Sequence, residues 1–109
     1  MRILKDSGLP LITAEITRRL GRLEACYERR LALEPALSGT IEIHWVIAEN
    51  GDVPESCITK DTVRDRELVD CVNQLVLEGG RFPAPRGGSV DVSFSFVFNP
   101  RNPHVAAAL

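Results

Sequence analysis

Near Thr40 the hydrophobic period of the chain changes from between three and four residues to two. Before it, Ile16, Leu20, Leu23, Tyr27 and Leu31 recur at spacings of three and four, which stacks them on one face of a helix. Five arginines and three glutamates between Glu15 and Arg30 fall elsewhere, so the segment reads as an amphipathic helix. Gly21 costs about 1 kcal/mol relative to alanine, and an isolated helix would be marginal, so this one must pack against a core. Pro10 and Thr13 lead into it, and Pro35 and Gly39 end it.

From Thr40, Ile41, Ile43, Trp45 and Ile47 alternate with Glu42, His44, Val46 and Ala48, the pattern of a half-buried strand. Asn50 and Gly51 suit a type I′ turn, and residues 53–59 can then return as an antiparallel partner. That turn pairs Trp45 with Ser56, His44 with Cys57 and Ile43 with Ile58. Pro54 lacks a donor and belongs at an edge or bulge, where the simple register can slip.

A second helix carries Leu68, Cys71, Val72 and Leu75 inward, with Val76 at its margin. Thr62 with Asp65 fits a capping box, but Asp65 is the better N-cap for a helix beginning at Arg66. Gly79 and Gly80 release the chain, Phe82 to Pro85 form a stiff connector, and Gly87 with Gly88 allow a turn. The last strand places Val92, Phe94, Phe96 and Phe98 on one face and Asp91, Ser93, Ser95 and Val97 on the other.

The order helix, strand, strand, helix, strand predicts an α+β domain with two helices on one face of a three-stranded sheet. A right-handed crossover through the second helix gives the strand order 2-1-3. Strand three, about Ser89 to Phe98, is then an edge that can accept an extended partner, with Asp91, Ser93, Ser95 and Val97 setting register and selectivity. Residues 1–13 read as a leader, 14–98 as one domain, and 99–109 as a polar tail. The closing AAAL has the look of an alanine-rich vector junction.

With 109 residues the chain is long enough for one domain with a real core. Its formal net charge of −2 lacks the field that broad nucleic-acid or anionic-membrane binding needs. No stretch reaches the length of a membrane span, and the first residues do not make a signal peptide. Cys26, Cys57 and Cys71 lack the close spacing of a zinc site, so neither metal nor cofactor is expected. Gly79, Gly80, Gly87 and Gly88 lack the lysine and hydroxyl of a phosphate loop and read as turn glycines. Trp45 and the phenylalanine row are in phase with the core and not with a base-stacking platform.

Cys26 and Cys71 both sit near the apolar sides of helices that cover one sheet. Two readings stand: a disulfide closing a loop of about 45 residues, or two buried thiols. Cys57 opposite His44 allows a thiol-dependent enzyme, but no group is placed to orient His44 and no oxyanion feature adjoins Cys57. Arg18, Arg19, Arg22, Arg29 and Arg30 are interleaved with glutamates. They read first as a solvated helix surface and second as a docking face for an acidic partner through Arg22 and Arg29.

Several elements together resemble the TonB-like C-terminal domain of the AgmX/PglI type, found on myxobacterial gliding-motility and related cell-envelope proteins. They are Cys26-Tyr27, Gly39, Gly51-Asp52-Val53, Asp65 with Cys71-Val72, Phe82-Pro83-Ala84-Pro85, Gly87-Gly88 and the last strand. The resemblance covers most of the chain. It implies a non-enzymatic interaction domain in the periplasm, at the C-terminal end of an inner-membrane protein, that binds a periplasmic or outer-membrane protein segment by edge-strand addition. Cys26 and Cys71 match the two helix cysteines of such domains, which implies a disulfide in that oxidising compartment, while Cys57 matches no family position. A small secreted protease inhibitor is a further alternative compatible with the size and a bridge.

Overall fold

The computed structural model of the chain describes residues 9–108 apart from Gly79 and Arg86. The expectations for residues 1–8, Gly79 and Leu109 lie outside the described residues. Helix α1 runs over Leu9–Leu33 and starts earlier than Thr13 because the apolar face continues upstream: Ile12 is as deeply buried as Ile16. Pro10 falls in the first turn, where a missing N–H removes no helical hydrogen bond. At the other end α1 stops at Leu33, before Pro35 can interrupt it.

Strands β1 (Gly39–Ile47) and β2 (Glu55–Asp61) form the expected hairpin, and His44 faces Cys57, Trp45 faces Ser56 and Ile43 faces Ile58. The expected two-residue type I′ turn does not form. Gly51 has φ +91°, but Asn50 is not in the left-handed region. The Gly51 amide donates to Ala48 O and the Ala48 amide to Asp52 O, each at 2.8 Å. This makes a three-residue loop of Glu49, Asn50 and Gly51, which Asn50 Oδ1 reinforces by accepting from the Asp52 amide at 3.0 Å. Pro54 lies outside β2. The register shift sits at the far end, between Glu42 and Ile43 opposite Thr59.

Helix α2 (Arg66–Leu77) starts from Asp65, whose carboxylate accepts from the Leu68 amide at 2.9 Å. Its apolar face of Leu68, Val72, Leu75 and Val76 is buried. Strand β3 (Val90–Asn99) alternates as expected, with Val90, Val92, Phe94, Phe96 and Phe98 buried. Trp45 lies between Phe82 and Phe94, each ring centroid 5.6 Å away, and Tyr27 meets Phe98 edge-on at 5.0 Å. Burying side chains of this size contributes roughly 1.5–3 kcal/mol apiece, so the aromatic row carries much of the core.

The sheet has four strands, not three. Strand β4 (Asn102–Ala108) pairs antiparallel with β3, and the sheet order is β2-β1-β3-β4. The segment expected to be a polar tail turns back because Asn99 Oδ1 accepts the Arg101 amide at 2.9 Å and Asn102 Oδ1 accepts the His104 amide at 3.2 Å. Val105 then drops into the core, and its amide donates to Glu24 of α1 at 3.0 Å.

Candidate binding site

The edge that the sequence assigned to a partner is partly occupied. On its inner side β3 pairs with β1 throughout, from Gly39 opposite Phe98 to Ile47 opposite Val90. On its outer side β4 faces Ser95 through Asn99. No described residue pairs with the outer edge over Val90, Asp91, Val92, Ser93 and Phe94. Ser95 and Val97, expected to flank an incoming strand, therefore sit opposite Ala108 and Ala106, while Asp91 and Ser93 belong to the open stretch. The other edge, β2, is interrupted by the shift at Thr59 and carries Glu55, Lys60 and Asp61, features that discourage strand pairing.

The face of the sheet away from the helices carries a short polar ladder. His44 Nδ1 is 3.0 Å from Ser93 Oγ, and His44 Nε2 is 3.9 Å from Asp91 Oδ1. Thr59 Oγ1 donates to Glu42 at 2.8 Å and Ser95 Oγ to the same carboxylate at 3.3 Å. Ser93 is thus held by β1, while Asp91, largely exposed, stands near the same histidine, and the backbone of both is presented at the open edge. Cys57 is free and exposed, beside His44 in the register. The structure supplies the acid near His44 that the sequence left unplaced, but the cluster lies on a flat strand face, with none of its residues in the groove between α1 and α2.

Cys26 and Cys71 form a disulfide between α1 and α2. Above it runs a groove of about 440 Å³ lined by both helices. From α1 it takes Arg18, Arg22, Ala25 and Arg29, from α2 Gln74, and from the C-cap of α2 Glu78. Arg22 and Arg29, the alternative docking pair, are exposed. Among the described residues neither makes an ion pair, whereas Arg18 pairs with Glu15 and Arg30 with Asp65.

Arg19 also reaches the groove, but its role is structural. It is only 6% exposed, donates to Leu75 O at 2.9 Å, Val76 O at 3.2 Å and Gly80 O at 3.0 Å, and lies 4.1 Å from the centre of the Phe82 ring. The carbonyls at the end of α2 have no helical partner, and a guanidinium fork satisfies several of them together. The sequence grouped Arg19 with its solvated neighbours; its position in the apolar row, three residues after Ile16 and four before Leu23, was the signal.

The Arg18 guanidinium, helped by Arg19 and opposed by partial burial, holds the Glu15 carboxyl below its ordinary value. At the other end of the helix pair, Arg30 holds Asp65 below the usual aspartate value, with burial opposing and the Leu68 amide assisting. Burial raises the Tyr27 phenol. Among the described residues no group of three or more His, Cys, Asp or Glu could hold a metal ion, and no helix is long and apolar enough to cross a membrane.

The chain matches no protein-family model, and no curated protein or solved structure is significantly similar to it.

Proposed function

We propose that this domain is a non-enzymatic protein-interaction module that binds an extended segment of a partner along Val90 to Phe94 of β3. The observation that carries the reading is the half-open outer edge of β3. Five residues with regular pairing on their inner side have no strand on their outer side among the described residues. Backbone hydrogen bonds at such an edge give affinity, and alternate side chains give selectivity. Asp91 and Ser93 are the side chains positioned to provide it, on the solvent face, with Ser93 hydrogen-bonded to His44.

The setting we propose is the periplasm, as the C-terminal domain of an envelope-spanning motility or TonB-like coupling protein. The resemblance of the Cys26-Tyr27, Cys71-Val72 and Phe82-Pro83-Ala84-Pro85 elements supports it, and a disulfide joining the helices persists in such a compartment. The test is an amide-shift titration of the isotope-labelled domain with seven-residue peptides from periplasmic and outer-membrane proteins of the source organism. Shifts centred on Val90 to Phe94 are expected; no shift there with any peptide of the set would refute strand addition.

A further inference from the structure

We infer that the groove between α1 and α2 is a second, independent docking site, which takes an acidic segment in a polyproline-type extended conformation with carboxylates three residues apart. The first support is local charge. The chain carries −2 overall, but four arginines and one glutamate, Glu78, line the groove. Glu15 is the single carboxylate that pairs with Arg18 and Arg19. Four positive charges against two negative ones leave a local excess of two, and Arg22 and Arg29 have no ion pair among the described residues.

The second support is spacing. Residues seven apart on a helix lie on the same face, two turns and about 10.5 Å apart along the axis. In a polyproline helix, side chains three residues apart share a face and are separated by about 9 Å. The match allows one such ligand to lie along α1 and offer a carboxylate to each arginine, with Ala25, small and exposed, between them. Planar guanidinium groups suit this recognition because each takes a carboxylate with two parallel hydrogen bonds.

The third support is a preformed shape. The disulfide fixes the helices to each other beneath the groove, Arg19 ties α1 to the far end of α2, and the Arg30–Asp65 pair ties it to the near end. A ligand therefore meets two arginines on a braced helix pair, which lowers the ordering cost of binding. None of the lining residues belongs to the sheet, so this site and the β3 edge stand or fall separately.

The test uses the oxidised full chain and a blocked peptide of sequence Gly-Glu-Pro-Pro-Glu-Gly, with glutamine and lysine versions in place of both glutamates. Amide and arginine side-chain shifts report binding. The glutamate peptide should shift α1 and α2 resonances around Arg22, Ala25, Arg29 and Gln74, leave Val90 to Phe94 unmoved, and bind at least fivefold more tightly than the glutamine version. The double variant Arg22→Glu/Arg29→Glu should lose that preference and gain binding of the lysine peptide. Both residues are exposed, and an unchanged circular dichroism spectrum with an intact disulfide confirms the fold. Equal binding of glutamate and glutamine peptides, or undiminished glutamate binding by the double variant, would overturn the proposal. So would inorganic phosphate displacing the peptide at equal concentration, because the groove would then be a general anion site.

Discussion

Arg19→Met removes the one side chain that joins α1, the end of α2 and the Phe82 connector. Methionine keeps much of the side-chain volume but has no donors, so the Leu75 and Val76 carbonyls that Arg19 reaches at 2.9 and 3.2 Å are left without it. Each buried acceptor without a partner costs about 1–3 kcal/mol. Loss of the guanidinium over the Phe82 ring, 4.1 Å from its centre, adds about 1–2 kcal/mol in a desolvated site, and burial of the methionine stem offsets a similar amount. The expected loss is therefore about 3–5 kcal/mol, the scale for removing one side of a buried, hydrogen-bonded charge. Equilibrium urea unfolding reads it directly, since a slope of about 1–3 kcal/mol per molar moves the midpoint by roughly 2 M. Arg18→Met is the control, because Arg18 is exposed and bonded only to Glu15 on its own helix, and its midpoint should scarcely move. If the two variants unfold at the same urea concentration, Arg19 does not hold the helices together and the reasoning fails.

Removing the disulfide as Cys26→Ala/Cys71→Ala frees a loop spanning a sequence separation of 45. This should cost about 3–4 kcal/mol and lower the thermal midpoint by roughly 10–20 °C, followed by circular dichroism; an unchanged midpoint would count against the bridge as a stabilising element. Asp65 has its folded pKa held down, chiefly by Arg30, so its contribution is present above the ordinary aspartate range and is lost as pH falls through the folded value. Asp65→Asn keeps an N-cap acceptor but loses the ion pair. Its stability should therefore fall less steeply on acidification than that of the parent in urea titrations across the acid range, and equal slopes would contradict this. Gly51→Ala forces a Cβ to within 2.3 Å of Phe82 O at φ +91°; a loss of about 2 kcal/mol or more is expected in the same unfolding assay.

Strong periodicity made most of the fold legible. The alternation through Ile41, Ile43, Trp45 and Ile47 and the row ending at Phe98 placed β1 and β3 because each strand has one buried face, which fixes its phase. The hairpin register follows from the strand pattern alone: Asn50 and Gly51 suggest a two-residue loop, but Asn50 stabilises a three-residue one through its side chain. Strand β4 escaped because Asn, Pro and Ala are poor strand formers, and only Val105 is deeply buried. Its pairing comes from β3 and Glu24, which are remote in sequence. Strand β4 delimits the candidate site, since it covers the edge at Ser95 and Val97 and leaves Asp91 and Ser93 at the open edge. Arg22 and Arg29 were visible as an exposed pair, but their groove depends on how α2 packs across from them. Arg19 was grouped with the solvated arginines because its partners are backbone carbonyls, which sequence composition does not mark.

We propose that an extended partner joins the sheet beside Val90 to Phe94. Amide-resolved hydrogen exchange on β3 tests it most directly, with and without a peptide that binds the domain. In the free chain the outward amides of Val90 to Phe94 should exchange faster than those that β4 covers between Ser95 and Asn99, and peptide binding should slow them while β4 stays protected. Binding of an extended peptide that the Arg22→Glu/Arg29→Glu variant retains, with Val90 to Phe94 as exposed as before, would contradict the account.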